Sequence, residues 1–96
     1  MRTIKELINQ EKKVYIYCKD KRTAMLFLIA AEDEGITFCN GSPATEHQAE
    51  DLYALQADGT LCYVGWAGHM AYHYCNDSIL KIDYENYANR IDNYQM

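Results

Sequence analysis

His69 and His73 stand four residues apart in the run GHMAYHYC. On a helix this spacing puts both imidazoles on one face, the arrangement that holds zinc in metalloproteases. On a strand the even spacing also keeps them on one side. A hydrolytic centre needs a third ligand and a general base as well. Met70 stands where that glutamate would follow the first His, and His47, Glu46 and Asp77 can reach the pair only through the fold. The simpler reading is a half-buried pair bonded to backbone or tyrosine, so no metal or other cofactor is assigned.

Two neighbouring features favour binding over catalysis. Gly65-Trp66-Ala67-Gly68 places the only Trp between glycines, just before His69. An indole so placed can form a flat wall for a base or another ring, with Tyr72 as a second ring; alternatively Trp66 is core. The glycines are too few for a phosphate loop, and no lysine with Ser or Thr follows them. The turn Lys19-Asp20-Lys21-Arg22-Thr23 opens a helix after a strand. Lys21 and Arg22 beside free helix N–H groups suit a small phosphate or carboxylate. The competing and stronger reading is a solvated turn in which Asp20 caps the helix. The candidate ligand-binding set is therefore Lys21, Arg22, Trp66, His69, Tyr72 and His73.

Nucleophilic catalysis finds little footing. Ser42 lacks a GxSxG setting. Cys18, Cys39, Cys62 and Cys75 include no CxxC pair, and three of them lie in strand-like runs where thiols serve as small hydrophobes. Glu32-Asp33-Glu34 and Glu46 to Asp51 read as solvated acidic faces.

The elements that would position these groups can be read from pattern. Thr3 with Glu6 forms a capping box for a short helix over about 3–10. Val14 to Cys18 is β-branched and aromatic, a strand. Thr23 to Glu34 is the central helix, stopped by Gly35, and Ile36 to Cys39 is a second strand. Asp58-Gly59 predicts a two-residue type I′ hairpin, with Ala57 facing Thr60, Leu55 facing Cys62 and Tyr53 facing Val64. Leu52, Ala54 and Gln56 then share the other face with Leu61 and Tyr63, and both faces are apolar enough to be covered. Met70 to Tyr74 and Ile79 to Ile82 can add strands. Tyr84, Tyr87, Ile91 and Tyr94 step as an amphipathic helix whose aromatic stripe docks on the sheet. In the central helix, Ala24, Phe27, Leu28 and Ala31 face the sheet, while Met25, Leu26 and Ile29 point elsewhere. Those three residues imply a second subunit, a homodimer or larger oligomer. The fold class is α+β: a mainly antiparallel sheet of four to five strands, the central helix (about 23–34) on one face, and a short helix at each terminus.

Ninety-six residues make one domain, 1–96. A net charge of −5 repels phosphate backbones, which excludes general nucleic-acid binding and suits a basic protein partner. No run of apolar residues is long enough for a membrane span, and the charged start MRTIKELINQEKK is no signal peptide, so the expected location is the cytoplasm, that of the host if phage-encoded.

The pattern EKKVYIYCKD, AAEDEGITF and ADGTLCYVGWAGHMAYH resembles small uncharacterised phage and prophage proteins of Gram-positive bacteria over about residues 3–85, chiefly at Gly35, Asp58-Gly59 and Gly65 to Met70. No catalytic residue is carried over. The resemblance implies an accessory, anti-defence context. Three functions are then open. The first is sequestration, without turnover, of a small anionic, nucleotide-like ligand at a subunit junction. The second is a protein–protein inhibitor of anti-CRISPR type, whose acidic surface and nine tyrosines cover a basic surface of a host defence protein. The third, a metal-dependent hydrolase using His69 and His73, ranks last.

Overall fold

The computed structural model of this chain describes residues 3–64 and 79–95. Trp66, His69, Tyr72, His73, Cys75 and the strand expected at Met70 to Tyr74 lie outside the described residues. The architecture is α+β. Strands β1 (Lys13–Tyr17), β2 (Leu52–Leu55), β3 (Leu61–Tyr63) and β4 (Ile79–Asp83) form one sheet in the order β3-β2-β1-β4. β2 pairs antiparallel with β1 and β3, whereas β1 and β4 run parallel. Helix α1 (Lys21–Asp33) covers one face, and the short helix α2 (Tyr84–Ala88) follows β4 directly. Among the described residues no helix is long and apolar enough to cross a membrane.

Alternation along β1 decides the layers. Val14, Ile16 and Cys18 point to the α1 side, while Tyr15 joins Leu52 and Ile79 in a smaller apolar cluster on the opposite side. Both faces of the sheet are thus apolar, as the sequence implies. From α1, Ala24, Phe27, Leu28 and Ala31 are buried. Phe27 is the centre of the core, with ring centroids 5.3 Å from Tyr53 and 5.0 Å from Tyr84. The opposite side of α1 leaves Met25, Leu26 and Ile29 50%, 53% and 48% exposed.

The hairpin differs from its expected form. Gly59 has φ +88°, but Asp58 does not have the positive φ that a type I′ turn requires. Gly59 N donates to Gln56 O at 2.9 Å and Gln56 N to Thr60 O at 2.8 Å, so three residues, 57–59, form the loop. The Asp58 carboxylate fixes this shape by accepting from Thr60 N at 2.9 Å and the Thr60 hydroxyl at 2.7 Å. One extra loop residue slips the register by one and turns β3 over. Leu55 faces Leu61, and Tyr53 faces Tyr63, while Ala54 faces Cys62. Leu61 therefore enters the main core and Cys62 the other face.

The termini are also shorter than their patterns. Thr3 and Glu6 exchange the two capping-box bonds, yet the helix is a single 3-10 turn, Lys5–Leu7. Asn9 Oδ1 accepts from Glu11 N and Lys12 N at 2.8 and 2.9 Å and redirects the chain into β1. Ile36 to Cys39 makes only isolated bridges, Thr37 to Pro43 and Phe38 to Leu61. At the C-terminus α2 ends before Arg90, whose φ of 60° breaks the helix. Tyr84 and Tyr87 dock in the main core, and Tyr94 folds back to place its ring 4.9 Å from that of Tyr87.

Candidate functional site

β1 and β4 both finish at one end of the sheet, called here the upper end, where β2 begins. The turn from β1 into α1, the loop 47–51 and the end of β3 meet there. Cys18 N donates to Asp51 O at 2.8 Å and extends the β1–β2 ladder by one bond. Lys19 Nζ lies 2.7 Å from Glu85 and ties the turn to α2. Two clefts adjoin at this end and share Glu50 and Asp51. One, of about 480 Å³, is bordered by Glu46, His47, Gln48, Leu52, Tyr63 and Val64; the other, of about 430 Å³, by Cys18, Lys19, Asp20, Lys21 and Ala49.

A chain of hydrogen bonds positions the larger cleft. The Tyr63 hydroxyl accepts from Gln48 N at 2.9 Å and lies 3.2 Å from His47 Nδ1. His47 Nε2 is 2.5 Å from Ser42 Oγ, which is 2.6 Å from Asn40 Oδ1. The polarity of this chain follows from its ends. Gln48 N–H can only donate, and Asn40 Oδ1, which also accepts from Ser42 N at 3.0 Å, can only accept. Two oxygens 2.6 Å apart need a proton between them, so Ser42 donates to Asn40. His47 Nε2–H then donates to Ser42, and Tyr63 donates to Nδ1. Ser42 and His47 therefore do not form an activated nucleophile and base, because the serine proton points away from the imidazole. Both ring nitrogens of His47 are engaged in hydrogen bonds. Among the described residues no three His, Cys, Asp or Glu side chains converge on a metal site.

The same loop is held from below. The buried Tyr53 hydroxyl donates to Gln48 O and accepts from Glu50 N, both at 2.8 Å. His47 stacks on Phe38 with centroids 3.5 Å apart, and Phe38 is itself buried in the core. Two tyrosine hydroxyls and a stacked imidazole thus fix the backbone from 47 to 50, while Glu46, Glu50 and Asp51 stay exposed at the rim.

The electrostatics of the upper end are acidic. Burial first, and the carboxylates of Asp83, Asp51 and Asp20 acting in the same direction, together push the Cys18 thiol up to about 12. The Asp20 carboxyl is held below its usual range by the Thr23 backbone N–H, at 2.8 Å. Asp20 thus caps α1 and already takes the N–H group an anion would use. Lys21 borders the smaller cleft together with three carboxylates, and Arg22 lies on the exposed side of α1 outside that lining. The other four members of the expected binding set, Trp66, His69, Tyr72 and His73, lie outside the described residues.

Sequence reading missed the Asn40–Ser42–His47–Tyr63 chain. Its first link closes a turn around Gly41, and its last spans sixteen residues. No family model, no curated protein and no solved structure matches the chain.

Proposed function

We propose that this chain is a non-catalytic binding module whose acidic upper end receives a basic segment of a partner protein. The observation that carries this reading is the pair of adjoining clefts sharing Glu50 and Asp51, rimmed further by Glu46 and Asp20. A loop fixed by Tyr53 and Tyr63 has little entropy left to lose on binding. Tyr63, 44% exposed, offers a ring face to a guanidinium, and the carboxylates offer it bidentate partners. The net charge of −5 steers such a partner toward the surface. In the phage setting that the resemblance implies, the partner is a host defence protein whose basic nucleic-acid groove is covered. The test is surface plasmon resonance with a nona-arginine peptide and a neutral peptide of equal length. Wild type binds the basic peptide with a strong salt dependence, and Glu50→Lys with Asp51→Lys weakens it at least about tenfold. Equal binding by that variant overturns the reading.

A second reading, sequestration of a small anionic ligand without turnover, is supported by Lys21 at the mouth of the smaller cleft. It adds Arg22 and the rings and imidazoles of Trp66, His69, Tyr72 and His73 as contacts. A thermal-shift series with pyrophosphate and cyclic nucleotides tests it: a shift lost in both Arg22→Glu and Trp66→Ala supports it, and no shift in wild type counts against it.

A further inference from the structure

Helix α1 carries its charges in the reverse of the order that its own dipole favours. Lys21 and Arg22 occupy the first turn, which holds no acid, and Glu32 and Asp33 the last, which holds no base. Cations at a helix N-terminus and anions at its C-terminus each oppose the macrodipole. Asp20 offsets the first by capping, and Thr45 Oγ1 bonds Glu32 Oε1 at 2.5 Å. Among the described residues no salt bridge engages Arg22 or Asp33 on the outward side, where the Asp20 carboxylate is Arg22's favourable charged neighbour.

The same side holds the exposed apolar residues, and their spacing is regular. Arg22, Leu26, Ile29 and Asp33 follow at intervals of four, three and four, the seam spacing of a two-helix coiled coil. At 100° per residue these four fall within an arc of about 60° on the helix, and Met25 flanks them. The buried residues Ala24, Phe27, Leu28 and Ala31 lie on the opposite side. The seam is palindromic in character: charge, apolar, apolar, opposite charge.

We propose that a second copy of this chain docks on this seam, α1 against α1, antiparallel about a twofold axis. With the axis level with the midpoint between Phe27 and Leu28, Arg22 of each copy meets Asp33 of the other and Leu26 meets Ile29. The antiparallel neighbour brings its acidic C-terminal turn to the basic N-terminal turn, so the charge order that is unfavourable within one helix becomes complementary between two. An unrelated apolar partner would explain the exposed side chains but not the reversed charges. A single helix pair is small for an interface, so the dimer dissociates on the order of micromolar. This surface is separate from the acidic clefts, and neither proposal depends on the other.

The test is sedimentation equilibrium of the full chain, with circular dichroism melts to show that each variant folds. Wild type runs at twice the 11.1 kDa of the chain at high concentration. Ile29→Lys, at a surface position, runs as a folded monomer. Arg22→Glu and Asp33→Arg each raise the dissociation constant at least about fivefold, as like charges then face each other. An equimolar mixture of the two single variants dimerises again, because each heterodimer restores both pairs. A purely apolar contact would not give that recovery, and parallel pairing, which already sets Arg22 on Arg22 and Asp33 on Asp33, would not be weakened by either single variant. A wild type that stays monomeric to millimolar concentration, a dimer indifferent to Ile29→Lys, or no recovery on mixing overturns the proposal.

Discussion

The Glu34 carboxylate binds the backbone of Ile4: Oε2 accepts from Ile4 N at 2.7 Å while Oε1 accepts from Lys5 N at 3.0 Å. The end of α1 thus caps the N-terminal 3-10 turn thirty residues earlier. This turn is short, and its buried Ile4 and Leu7 have to be held against the core by something other than helix length. Glu34→Ala removes two charge-assisted bonds and lowers stability by about 1–3 kcal/mol. Glu34→Gln, with one acceptor oxygen, falls between the two in urea unfolding. An Ala variant as stable as wild type shows that the N-terminal turn is not tied there.

The three-residue hairpin loop makes opposite demands on its last two residues. Gly59 carries the positive φ, and a Cβ there meets only Ile8 Cδ1 at 3.5 Å, so backbone strain decides the outcome. Gly59→Ala loses about 1–2 kcal/mol in thermal unfolding, and Gly59→Asn loses less. Asp58→Gly would suit a type I′ turn, but here it destabilises, since the two bonds to Thr60 go with the carboxylate. A stabilised Asp58→Gly variant contradicts the loop described.

Three carboxylates link stability to pH. Glu6, Asp20 and Asp58 are each held below their ordinary 4.5, 3.8 and 3.8, chiefly by hydrogen bonds from Thr3, Thr23 and Thr60. Groups depressed in the folded chain stabilise it fully above their unfolded pKa and cease to do so as pH falls through the folded value. Stability therefore holds down to about pH 5 and declines below it. Asp20→Asn and Asp58→Asn flatten that decline in urea titrations at successive pH values. An unchanged slope in both contradicts the assignment of these bonds.

Tyr53 joins the core to the binding surface. Tyr53→Phe keeps the ring contacts with Phe27 but strands Gln48 O and Glu50 N. It costs about 1–2 kcal/mol and loosens the loop that presents Glu50. Affinity for a nona-arginine peptide falls with it, in calorimetry at a temperature where the variant is fully folded. Unchanged affinity separates the loop from binding.

Much of this was legible because it is local or periodic. The Ala24, Phe27, Leu28 and Ala31 stripe and the exposed Met25, Leu26 and Ile29 follow from spacing, and the strand expected at Val14 to Cys18, found at Lys13–Tyr17, from its β-branched and aromatic residues. The hairpin register did not, because Asp-Gly fits a two- or a three-residue loop and only the Thr60 bonds distinguish them. Glu34 reads as one of a solvated acidic run, yet its partners come from the chain's first turn. His47 looked like a spare ligand; Tyr63 and Ser42 engage it through contacts no spacing announces.

The most direct measurement is a nitrogen-15 amide NMR titration of the full chain with the nona-arginine peptide, and separately with pyrophosphate. The peptide shifts the amides of Gln48, Glu50, Asp51 and Tyr63 together, at concentrations where the neutral peptide shifts none. Shifts scattered over Glu32, Asp33 and other surface acids, or shifts at Lys21 and Arg22 with pyrophosphate alone, contradict the acidic upper end as the binding site.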